Sequence, residues 1–464
     1  MGDALQVDIA FLGAGVTGYT GAIRARQHGA SAALIERDGV LGGTCLNRGC
    51  IPAKALIHCA QVARHVRRAG EFGIQAELAG VDWPRVTRHV GATVKRLNKG
   101  VEFLMDKNGV QVVRGRAHLE DAHTIEVEGE GGRSVVRATK VIICTGSAPA
   151  TLPIPGADEH TITSDDLWAL PERPARLAVI GGGFIGCESA YALADLGSEV
   201  TIFEMTEHIL PEVDADLAAE LARAFQRMKV KIHAPARVTA IEARNGAKVV
   251  KYAQAGGEGE AELEVDLVLL AVGRRSVFED SGAKEIGVEV ERGHLVVNRR
   301  METGVEGMYA AGDVIGPPLL AHAGIAEGRV AVINALGAEA EIDYRAMPFC
   351  VYTWPEIACV GLSEKQAQER GLEVRVGTFP FRAQGKAAAM GEREGFMKVL
   401  LAEERLVGAH IVGPCATELI AEAAAAIWAR TPIELFAAGI RAHPTMAEIT
   451  EEAVGDALGH PLHK

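Results

Sequence analysis

The chain has 464 residues, of which 48% are apolar and 23% charged, a composition typical of globular proteins rather than disordered or fibrous ones. A chain of this length is expected to divide into about three domains. The formal net charge of −13 opposes binding to a phosphate backbone and argues against a nucleic-acid partner. No run of about 18 apolar residues and no basic-then-apolar leader is present, so we expect a cytoplasmic protein without a membrane span.

The first predicted unit is a strand, a glycine turn and a helix. An apolar strand at residues 8–12 runs into the turn, and a second apolar strand at residues 32–36 ends in an acid, Glu36. The turn glycines are Gly13, Gly15 and Gly18. Glycines let the backbone approach a pyrophosphate, the helix N-terminus offers N–H donors, and the acid accepts hydrogen bonds from ribose hydroxyls. This arrangement predicts a dinucleotide-binding fold, whereas glycines alone would mark an ordinary strand–helix turn.

Two cysteines, Cys45 and Cys50, follow that acid in the segment GGTCLNRGCIPAK. A regular helix would hold residues at this spacing roughly 8–9 Å apart between Cα atoms, whereas a disulfide tolerates at most about 7 Å. A bridge therefore requires a break, which we expect at Gly49 and Pro52, with regular helix resuming after Pro52. A disulfide at a helix N-terminus suits redox turnover, because the positive end of the dipole stabilises a released thiolate. The other cysteines have apolar neighbours and are expected to be buried: Cys59, Cys144, Cys187, Cys350, Cys359 and Cys415.

The glycine pattern recurs later in the chain. Gly181, Gly183 and Gly186 follow an apolar strand at residues 177–180, and Glu204 ends the next apolar strand. Each of these glycines and the acid lies 168 residues after its counterpart in the first unit. The sequence therefore predicts a second dinucleotide fold. A carboxylate at Glu204 would repel a 2′-phosphate, so we expect this copy to bind NAD rather than NADP.

From about residue 347 the pattern changes to alternating strands, such as residues 395–401, and to an alanine-rich helix over residues 418–429. We expect a third domain of a different class there. Near the end of the chain, His443 precedes Glu448 by five residues. A histidine can act as a base near neutral pH, and a carboxylate beside it would hold the imidazolium. Taken alone, this pair could equally belong to a surface turn.

Together these motifs resemble the pyridine nucleotide–disulfide oxidoreductases, and within that family most closely the dihydrolipoamide dehydrogenases. The resemblance covers nearly the whole chain and rests on GGTCLNRGCIPAK, GGGFIGCE, MYAAGDV, YTWPEIACVG, GAHIVGP and AHPTMAE, in the family's order. It implies an α/β fold with two Rossmann-like dinucleotide-binding domains and a C-terminal α+β dimerisation domain. The implied boundaries are 1–149 and 276–346 for the two parts of the FAD-binding domain, 150–275 for the NAD-binding domain and 347–464 for the dimerisation domain.

The resemblance implies FAD and NAD as cofactors and no metal. Lys54 would lie close to the flavin ring, Asp313 on the ribitol, and the helix starting near Ala321 would point its N-terminus at the flavin pyrimidine. The residues implied for FAD are Gly13, Gly15, Gly18, Glu36, Lys54, Ala117, Gly312, Asp313 and Ala321. The residues implied for NAD are Gly181, Gly183, Gly186, Glu204, Val238 and Gly273, with Glu188 pairing with Lys54. Phe184 would be an aromatic gate over the nicotinamide or, equally, a core residue.

The resemblance also assigns catalytic roles. Cys45 would exchange electrons with the substrate, Cys50 would face the flavin, and His443, supported by Glu448, would act as a base from the other subunit of an obligate homodimer. The implied reaction oxidises protein-bound dihydrolipoamide and reduces NAD. Because no lipoyl domain precedes Asp8, the lipoyl group is expected on a separate protein, either a 2-oxoacid dehydrogenase, the glycine cleavage system or another lipoate-binding protein.

Three positions depart from the family's motifs. Arg441 replaces the first histidine of His-x-His-Pro-Thr, Trp354 replaces a histidine before Pro-Glu, and Ser276 stands where a proline commonly follows Gly-Arg-x. Arg441 and Trp354 bear on the substrate channel or the dimer surface, so the lipoyl partner is the least determined part of this interpretation. Two alternatives remain open: another NAD-linked flavin disulfide reductase, and a flavin-bearing structural subunit of a lipoyl-containing complex.

Overall fold

The computed structural model describes residues 4–254 and 259–464. Residues 1–3, where the predicted first domain begins, and residues 255–258 lie outside this description. Within the described ranges, no helix has both the length and the apolar character needed to cross a bilayer.

The first part of the chain forms a largely parallel sheet in the order β3-β2-β1-β6-β5-β4, flanked by helices. Strands β1 and β2 are almost wholly apolar because both of their faces are covered. The strands are β1 (Leu5–Leu12), β2 (Ala32–Glu36), β3 (Gln111–Arg114), β4 (Arg116–Leu119), β5 (Thr124–Gly129), β6 (Gly132–Ile143) and β7 (Ser147–Pro149). The helices are α1 (Val16–Gln27), α2 (Gly43–Asn47), α3 (Cys50–Arg68) and α4 (Trp83–Lys107), with a short 3-10 helix at Ala69–Phe72.

The second part repeats the parallel arrangement and adds an antiparallel layer. Its strands are β8 (Ile162–Thr163), β9 (Arg176–Ile180), β10 (Glu199–Phe203), β11 (Lys231–His233), β12 (Ala236–Arg244), β13 (Ala247–Gln254), β14 (Ala261–Val265), β15 (Leu267–Leu270) and β16 (Arg274–Ser276). Its helices are α5 (Ala157–His160), α6 (Ser164–Leu167), α7 (Phe184–Asp195) and α8 (Ala215–Arg227). The parallel sheet runs β11-β10-β9-β15-β8, and β12-β13-β14 form a separate antiparallel sheet.

The chain then returns to the first sheet. The next elements are β17 (Val290–Glu291), β18 (His294–Leu295), β19 (Met308–Ala310) and α9 (Ala321–Ala335), with 3-10 helices at Glu279–Ser281 and Asp313–Ile315. Strand β19 pairs in parallel with β6, and β16 pairs antiparallel with β7 to form a two-stranded ribbon. The chain thus leaves and re-enters the first sheet through this ribbon. The predicted boundaries near residues 149 and 275 fall in it, and the division into domains stays a prediction.

The last part is an antiparallel sheet in the order β20-β21-β24-β23-β22, covered by helices. Its strands are β20 (Phe349–Val351), β21 (Glu356–Gly361), β22 (Arg375–Pro380), β23 (Phe396–Ala402) and β24 (Arg405–Gly413). Its helices are α10 (Glu364–Glu369), α11 (Gly385–Ala389), α12 (Ala416–Ala429), α13 (Ile433–Ala437) and α14 (Glu448–Leu458), with a 3-10 helix at Phe381–Ala383. The predicted fold class, two Rossmann-like units followed by an antiparallel C-terminal domain, is confirmed.

A buried lysine joins the second dinucleotide unit to the C-terminal sheet. The Lys398 side chain on β23 is 2% exposed, and its Nζ lies 2.8 Å from Asp214 and 2.9 Å from Asp216, at the start of α8, and 2.7 Å from Glu364. Because an isolated buried charge is costly, these carboxylates are what make the lysine tolerable there. They also fix how α8 lies against the sheet.

The prediction that six cysteines are buried is only partly right. Cys144 and Cys187 are fully buried, whereas Cys59, Cys350 and Cys359 are partly buried. Cys415 is exposed, so the prediction is wrong for it: it occupies the N-cap of α12 with φ +57°, outside the apolar face of that helix.

Candidate active site

The two glycine turns have nearly the same backbone. Gly13 has φ +109° and Gly181 has φ +103°, conformations that favour glycine. A Cβ at Gly13 would lie 2.4 Å from the Cys144 carbonyl oxygen, and one at Gly181 would lie 2.3 Å from that of Ala271. Each turn is therefore pressed against the end of a neighbouring strand, with no room for a side chain.

The last glycine of each turn allows the helix to pack against the turn. A Cβ at Gly18 would lie 1.9 Å from the Gly13 carbonyl oxygen, and one at Gly186 would lie 2.0 Å from that of Gly181. Helices α1 and α7 begin directly after the middle glycine, and neither has an acid in its first turn. Both N-termini therefore leave their N–H donors and positive dipole ends for an anion such as a pyrophosphate.

The acid at the end of β2, Glu36, is hydrogen-bonded to the backbone of the first glycine turn. Glu36 accepts hydrogen bonds from the Ala14 N–H on Oε2 and from the Asp38 N–H on Oε1, both at 2.8 Å. Burial raises the pKa of Glu36, while these two backbone donors act to lower it. The carboxylate is thus anchored by backbone groups at the position where the sequence predicts a ribose contact.

Glu204 repeats this arrangement with one donor more. Its Oε2 accepts from the Gly182 N–H at 2.7 Å, and its Oε1 accepts from both the N–H and the hydroxyl of Thr206 at 2.8 Å. Sequence reasoning identified Glu204 but missed Thr206. The signal was available, since a hydroxyl residue two positions after such an acid can reach back to it.

The redox loop leaves directly from the first turn. The Gly42 N–H donates to the Ala14 carbonyl at 2.8 Å, and α2 follows. The helix breaks at Gly49, with φ −125° and ψ −106°, and α3 begins at Cys50. The predicted break is present, but the expected restart after Pro52 is wrong. Pro52 lies in the first turn of α3, where a missing N–H costs no intrahelical hydrogen bond.

Cys45 and Cys50 are free thiols, one in α2 and the other at the start of α3. A hydrogen bond with Cys50, together with burial, raises the pKa of Cys45 well above its usual range. The same bond lowers the pKa of Cys50 to about 7, helped by the Lys54 ammonium and opposed by burial and by Glu188. Cys50 is also the first residue of α3, where the helix dipole favours a thiolate. Both effects favour Cys50 over Cys45 as the thiolate of the pair.

Three parts of the chain meet at Lys54. Its Nζ lies 2.8 Å from Glu188 Oε2 on α7, and Glu188 Oε1 accepts from the Tyr352 N–H at 3.0 Å. The ammonium also lies 4.2 Å from the centre of the Tyr352 ring. Beside this cluster Phe184 packs edge-on against Phe349, with ring centres 4.2 Å apart. Sequence reasoning paired Lys54 with Glu188 but gave no role to Tyr352, whose motif was noted.

Asp313 is held by two serines that face each other on the β7–β16 ribbon. The Ser147 hydroxyl makes a short hydrogen bond to the Asp313 carboxylate and accepts from Arg274 Nε at 2.7 Å. The Ser276 hydroxyl donates to the Asp313 carbonyl at 2.6 Å and lies 2.8 Å from His294 Nδ1. Since that hydroxyl has one proton, His294 must donate to it. A proline at position 276 could make neither bond, so this departure gives the Asp313 turn an additional support.

The other two residues that depart from the family's motifs, Arg441 and Trp354, both make contacts within the subunit. Arg441 donates to Glu422 at 2.7 Å, and its side chain is 6% exposed. Trp354 lies under the Arg64 guanidinium at 3.6 Å and donates from its indole N–H to Glu392 at 3.1 Å. Both side chains therefore serve internal contacts of the subunit.

His443 and Glu448 form a hydrogen-bonded pair in front of α14. His443 Nδ1 lies 2.7 Å from Glu448 Oε1, while Glu448 Oε2 accepts from the Thr445 N–H at 2.8 Å. The bond to His443 lowers the pKa of Glu448. The His443 side chain is 80% exposed. Within the described ranges no hydrogen bond joins it to Cys45 or Cys50.

The other predicted cofactor residues lie at strand ends and turns around the two sites. Ala117 is on β4, Val238 on β12, Gly273 and Gly312 in turns with positive φ, and Ala321 is the first residue of α9.

The chemistry at both turns fits a dinucleotide. The Thr145 hydroxyl is buried and has no hydrogen-bond partner among the described residues, and Thr145 lies directly against Gly13. It is therefore a polar group placed for a ligand at the first turn. At the second turn, a Cβ on Gly183 would meet no atom within 4 Å, which leaves space for a bound group. No set of three His, Cys, Asp or Glu side chains in the described part is arranged to hold a metal.

Two dinucleotide turns and a dithiol at a helix N-terminus define a nucleotide-dependent disulfide oxidoreductase. Residues 7–328 match the family model of pyridine nucleotide-disulphide oxidoreductases, and residues 347–454 match the dimerisation domain of the same family. The chain belongs to this family. Its members use FAD and NAD(P), and the dimerisation domain implies a homodimer. The protein is thus an NAD(P)-linked flavin disulfide oxidoreductase.

The similarity to known proteins extends over nearly the full length of the chain. A dihydrolipoyl dehydrogenase of Bacillus subtilis is 37% identical over 460 residues, covering 98% of this chain and 99% of its own. One from Halobacterium salinarum is 38% identical, covering 98% and 97%. Among solved structures, LpdA of Mycobacterium tuberculosis is 28% identical with a TM-score of 0.89, covering 97% and 99%. The Cu(II) complex of RclA, an HOCl-induced flavoprotein disulfide reductase of Escherichia coli, is 28% identical with a TM-score of 0.86 and the same coverage.

Proposed function

We propose that the protein oxidises dihydrolipoamide carried by a lipoylated protein and reduces NAD⁺ to NADH. The observation that carries this proposal is the placement of the dithiol, with Cys45 in α2 and Cys50 as the first residue of α3, one turn before Lys54. The lipoyl substrate is supported by the 37–38% identity to dihydrolipoyl dehydrogenases. A 2-oxoacid dehydrogenase, the glycine cleavage system and another lipoate-binding protein all remain candidates for the partner, and action in the cytoplasm stays a prediction.

The dithiol chemistry runs through the two cysteines in sequence. A substrate thiolate attacks Cys45 Sγ of the oxidised pair, the Cys45–Cys50 bond breaks, and Cys50 leaves as a thiolate. The second substrate thiol then displaces Cys45, which closes the lipoamide disulfide and leaves both cysteines reduced. Bound FAD supplies two-electron transfer from this dithiol to NAD⁺. The net reaction converts dihydrolipoamide and NAD⁺ into lipoamide, NADH and one proton.

Charged residues around the two cysteines stabilise the Cys50 thiolate. Lys54 neutralises the Cys50 thiolate, and Glu188, which also accepts from the Tyr352 N–H, holds Lys54 in position. Asp313 and the N-terminus of α9 would hold FAD, while the second turn and Glu204 would hold NAD.

We assign to His443 the role of accepting the proton from the attacking substrate thiol. Its ring is exposed, and Glu448 fixes its orientation through Nδ1, so that Nε2 is free to accept a proton. Because His443 lies in the dimerisation domain and no hydrogen bond joins it to the thiols of its own chain in the described ranges, we assign it to the active site of the other subunit.

The test is the oxidation of free dihydrolipoamide by the purified holoenzyme with NAD⁺. His443→Gln should lower this rate by about 10²–10⁴, the usual contribution of a general base. Electron transfer from NADH to bound flavin, which needs no thiol base, should be retained. An enzyme that forms no NADH from dihydrolipoamide would refute the proposal.

Subunit exchange tests where the base acts. Mixing His443→Gln with Cys45→Ser under exchanging conditions should restore one working site per heterodimer, with the thiols of one chain and the base of the other. If subunits demonstrably exchange and no activity returns, His443 does not act across the dimer.

A second candidate is an NADH-dependent reductase of a non-lipoyl disulfide. The observation in its favour is the similarity of the fold to RclA, at a TM-score of 0.86. Faster NADH-dependent reduction of small non-lipoyl disulfides than of lipoamide would favour this candidate. A flavin-bearing subunit without turnover would show neither activity.

A further inference from the structure

One face of α4 carries five basic side chains and Ala92. Arg85, Arg88, Lys95, Arg96 and Lys99 are all exposed, and no acid lies between Asp82 and Glu102. At 100° per residue, the five side chains fall within a band about 100° wide that extends over about 21 Å of the helix. We refer to these five residues as the basic stripe. The face opposite to it is the one that packs into the molecule, through Trp83, Val90, Asn98, Val101 and Met105.

The charges of the basic stripe are almost uncompensated. Arg85 has a carboxylate 3.6 Å away in Asp82, and in the part of the chain that the structure describes the other four make no salt bridge. The neighbouring helix α3 differs: Arg64 and Arg67 both lie within 3.0 Å of Asp195, and Arg68 contacts Glu392.

This contrast is notable because the chain has 61 acidic and 48 basic residues in total. A solvated helix face in such a chain is expected to carry both signs. A stripe of one sign, opposite to the net charge, creates a local positive potential that attracts an acidic partner and increases its association rate.

The helix that bears the stripe is attached to the redox loop. The Asn98 amide donates to the Leu41 carbonyl in a short hydrogen bond and lies 3.4 Å from Asn47 Oδ1. Asn47 is the last residue of α2, which contains Cys45. The inner face of α4 thus contacts the segment with the substrate-facing thiol, and the stripe lies on the opposite face of the same helix.

We propose that the basic stripe docks an acidic surface of the protein domain that carries the lipoyl group. This inference rests on the proposed function and names the chemistry of its partner. Docking on the helix that contacts the redox loop would hold the lipoyl protein close to this unit and raise the local concentration of the lipoyl arm near it. Free dihydrolipoamide has no net charge and gains nothing from the stripe. Nucleic acid is the less suitable occupant, because the net charge of −13 repels a long phosphate backbone.

The experiment compares two synthetic peptides of equal length, each with one dihydrolipoyl-lysine, flanked by glutamates in one and by lysines in the other. The wild-type holoenzyme should show a kcat/KM at least about tenfold higher for the acidic peptide at low ionic strength. This preference should shrink as salt is added, because exposed charges are screened. Free dihydrolipoamide serves as the uncharged reference.

Two triple variants test the stripe itself. Lys95→Glu/Arg96→Glu/Lys99→Glu should reverse the preference, and Lys95→Gln/Arg96→Gln/Lys99→Gln should abolish it with less disturbance of the fold. Both should oxidise free dihydrolipoamide at the wild-type rate. The matched control reverses three exposed lysines elsewhere and should keep the wild-type preference: Lys229, Lys284 and Lys365.

Equal kcat/KM for the two peptides, or a preference that survives reversal of the stripe, would overturn the docking proposal while free dihydrolipoamide is still oxidised. Retention on anionic phospholipid vesicles through the same residues, without any selection of the acidic peptide, would overturn it in favour of a membrane surface. If the wild-type enzyme does not oxidise free dihydrolipoamide, the proposed function fails and the docking proposal fails with it.

Discussion

The glycine turns of the first and second dinucleotide-binding units have nearly the same geometry, and the segments that follow them differ. The agreement extends beyond the glycines and the acid. Gly42 and Leu210, which are also 168 residues apart, each donate an N–H at 2.8 Å to the carbonyl of the second turn residue, Ala14 or Gly182. Both adopt positive φ, +100° and +53°, although one of them is a leucine.

After Gly42 and Leu210 the two segments have different structures. Gly42 leads into α2 and the broken helix with Cys45 and Cys50, whereas Leu210 leads through a proline into α8, which has no cysteine. The comparison shows that the turn provides a place to bind a nucleotide, and that the segment attached after it provides the chemistry. Changes to the shared turn should therefore affect binding, and changes to the added segment should affect turnover.

The largest effect is expected from the cysteines, which have no counterpart in the second unit. Cys45→Ser and Cys50→Ser should each lower dihydrolipoamide oxidation by about 10³ or more, since no disulfide can form. Only Cys45→Ser should keep the long-wavelength absorbance of a Cys50 thiolate beside bound FAD. In the reduced wild-type protein this absorbance should grow as pH rises through about 7, because deprotonation of Cys50 creates the thiolate. Identical spectra for the two variants would contradict the division of roles.

A smaller effect is expected from the third glycine, which tests whether the two turns act independently. A Cβ at Gly186 would clash with a carbonyl oxygen at 2.0 Å, and one at Gly18 at 1.9 Å. Such overpacking costs about 1–3 kcal/mol, or about 5–150-fold in affinity. Gly186→Ala should raise the KM for NAD while FAD stays bound, and Gly18→Ala should weaken FAD, as followed by flavin fluorescence. Loss of both cofactors from either variant would show that the turns are coupled.

A smaller effect than that of the glycines is expected from the hydrogen bonds to the acid of each unit, Glu36 in the first and Glu204 in the second. With Glu204 in the second unit, kcat/KM for NAD should exceed that for NADP by at least about tenfold. Thr206→Val removes one of the three donors to Glu204 and leaves two, as Glu36 has. We expect a several-fold lower kcat/KM for NAD, with Thr206→Ser close to the wild type. Equal use of NAD and NADP by the wild type would refute the assignment.

An effect similar in size to that of Thr206→Val is expected at the ribbon between the units. Ser276→Ala removes the hydroxyl that supports the Asp313 carbonyl and accepts from His294. FAD should bind up to about tenfold more weakly, the cost of buried polar groups left without partners. The matched control is Ser281→Ala, which loses a similar buried bond to the Phe278 carbonyl at 2.6 Å but does not contact Asp313. Equal FAD affinity in the two variants would show that Ser276 has no such role.

The sequence alone determined the two dinucleotide units, because each depends on a local pattern: an apolar strand, three glycines and an acid within about one supersecondary unit. It also located the break in the redox helix, because Gly49 and the cysteine spacing are local signals. It misplaced the restart at Pro52, since a proline suits both the end of a break and the first turn of a helix.

Only the tertiary structure decided which distant side chains meet. The Lys54–Glu188–Tyr352 cluster and the bond between Ser147 and Asp313 join residues more than 100 positions apart. The same is true of charge compensation: α3 and α4 are both basic in sequence, yet the acids that neutralise α3, Asp195 and Glu392, come from elsewhere in the chain. Local patterns report the periodicity of one segment, whereas ion pairs and hydrogen bonds between segments depend on how the packed elements place them in space.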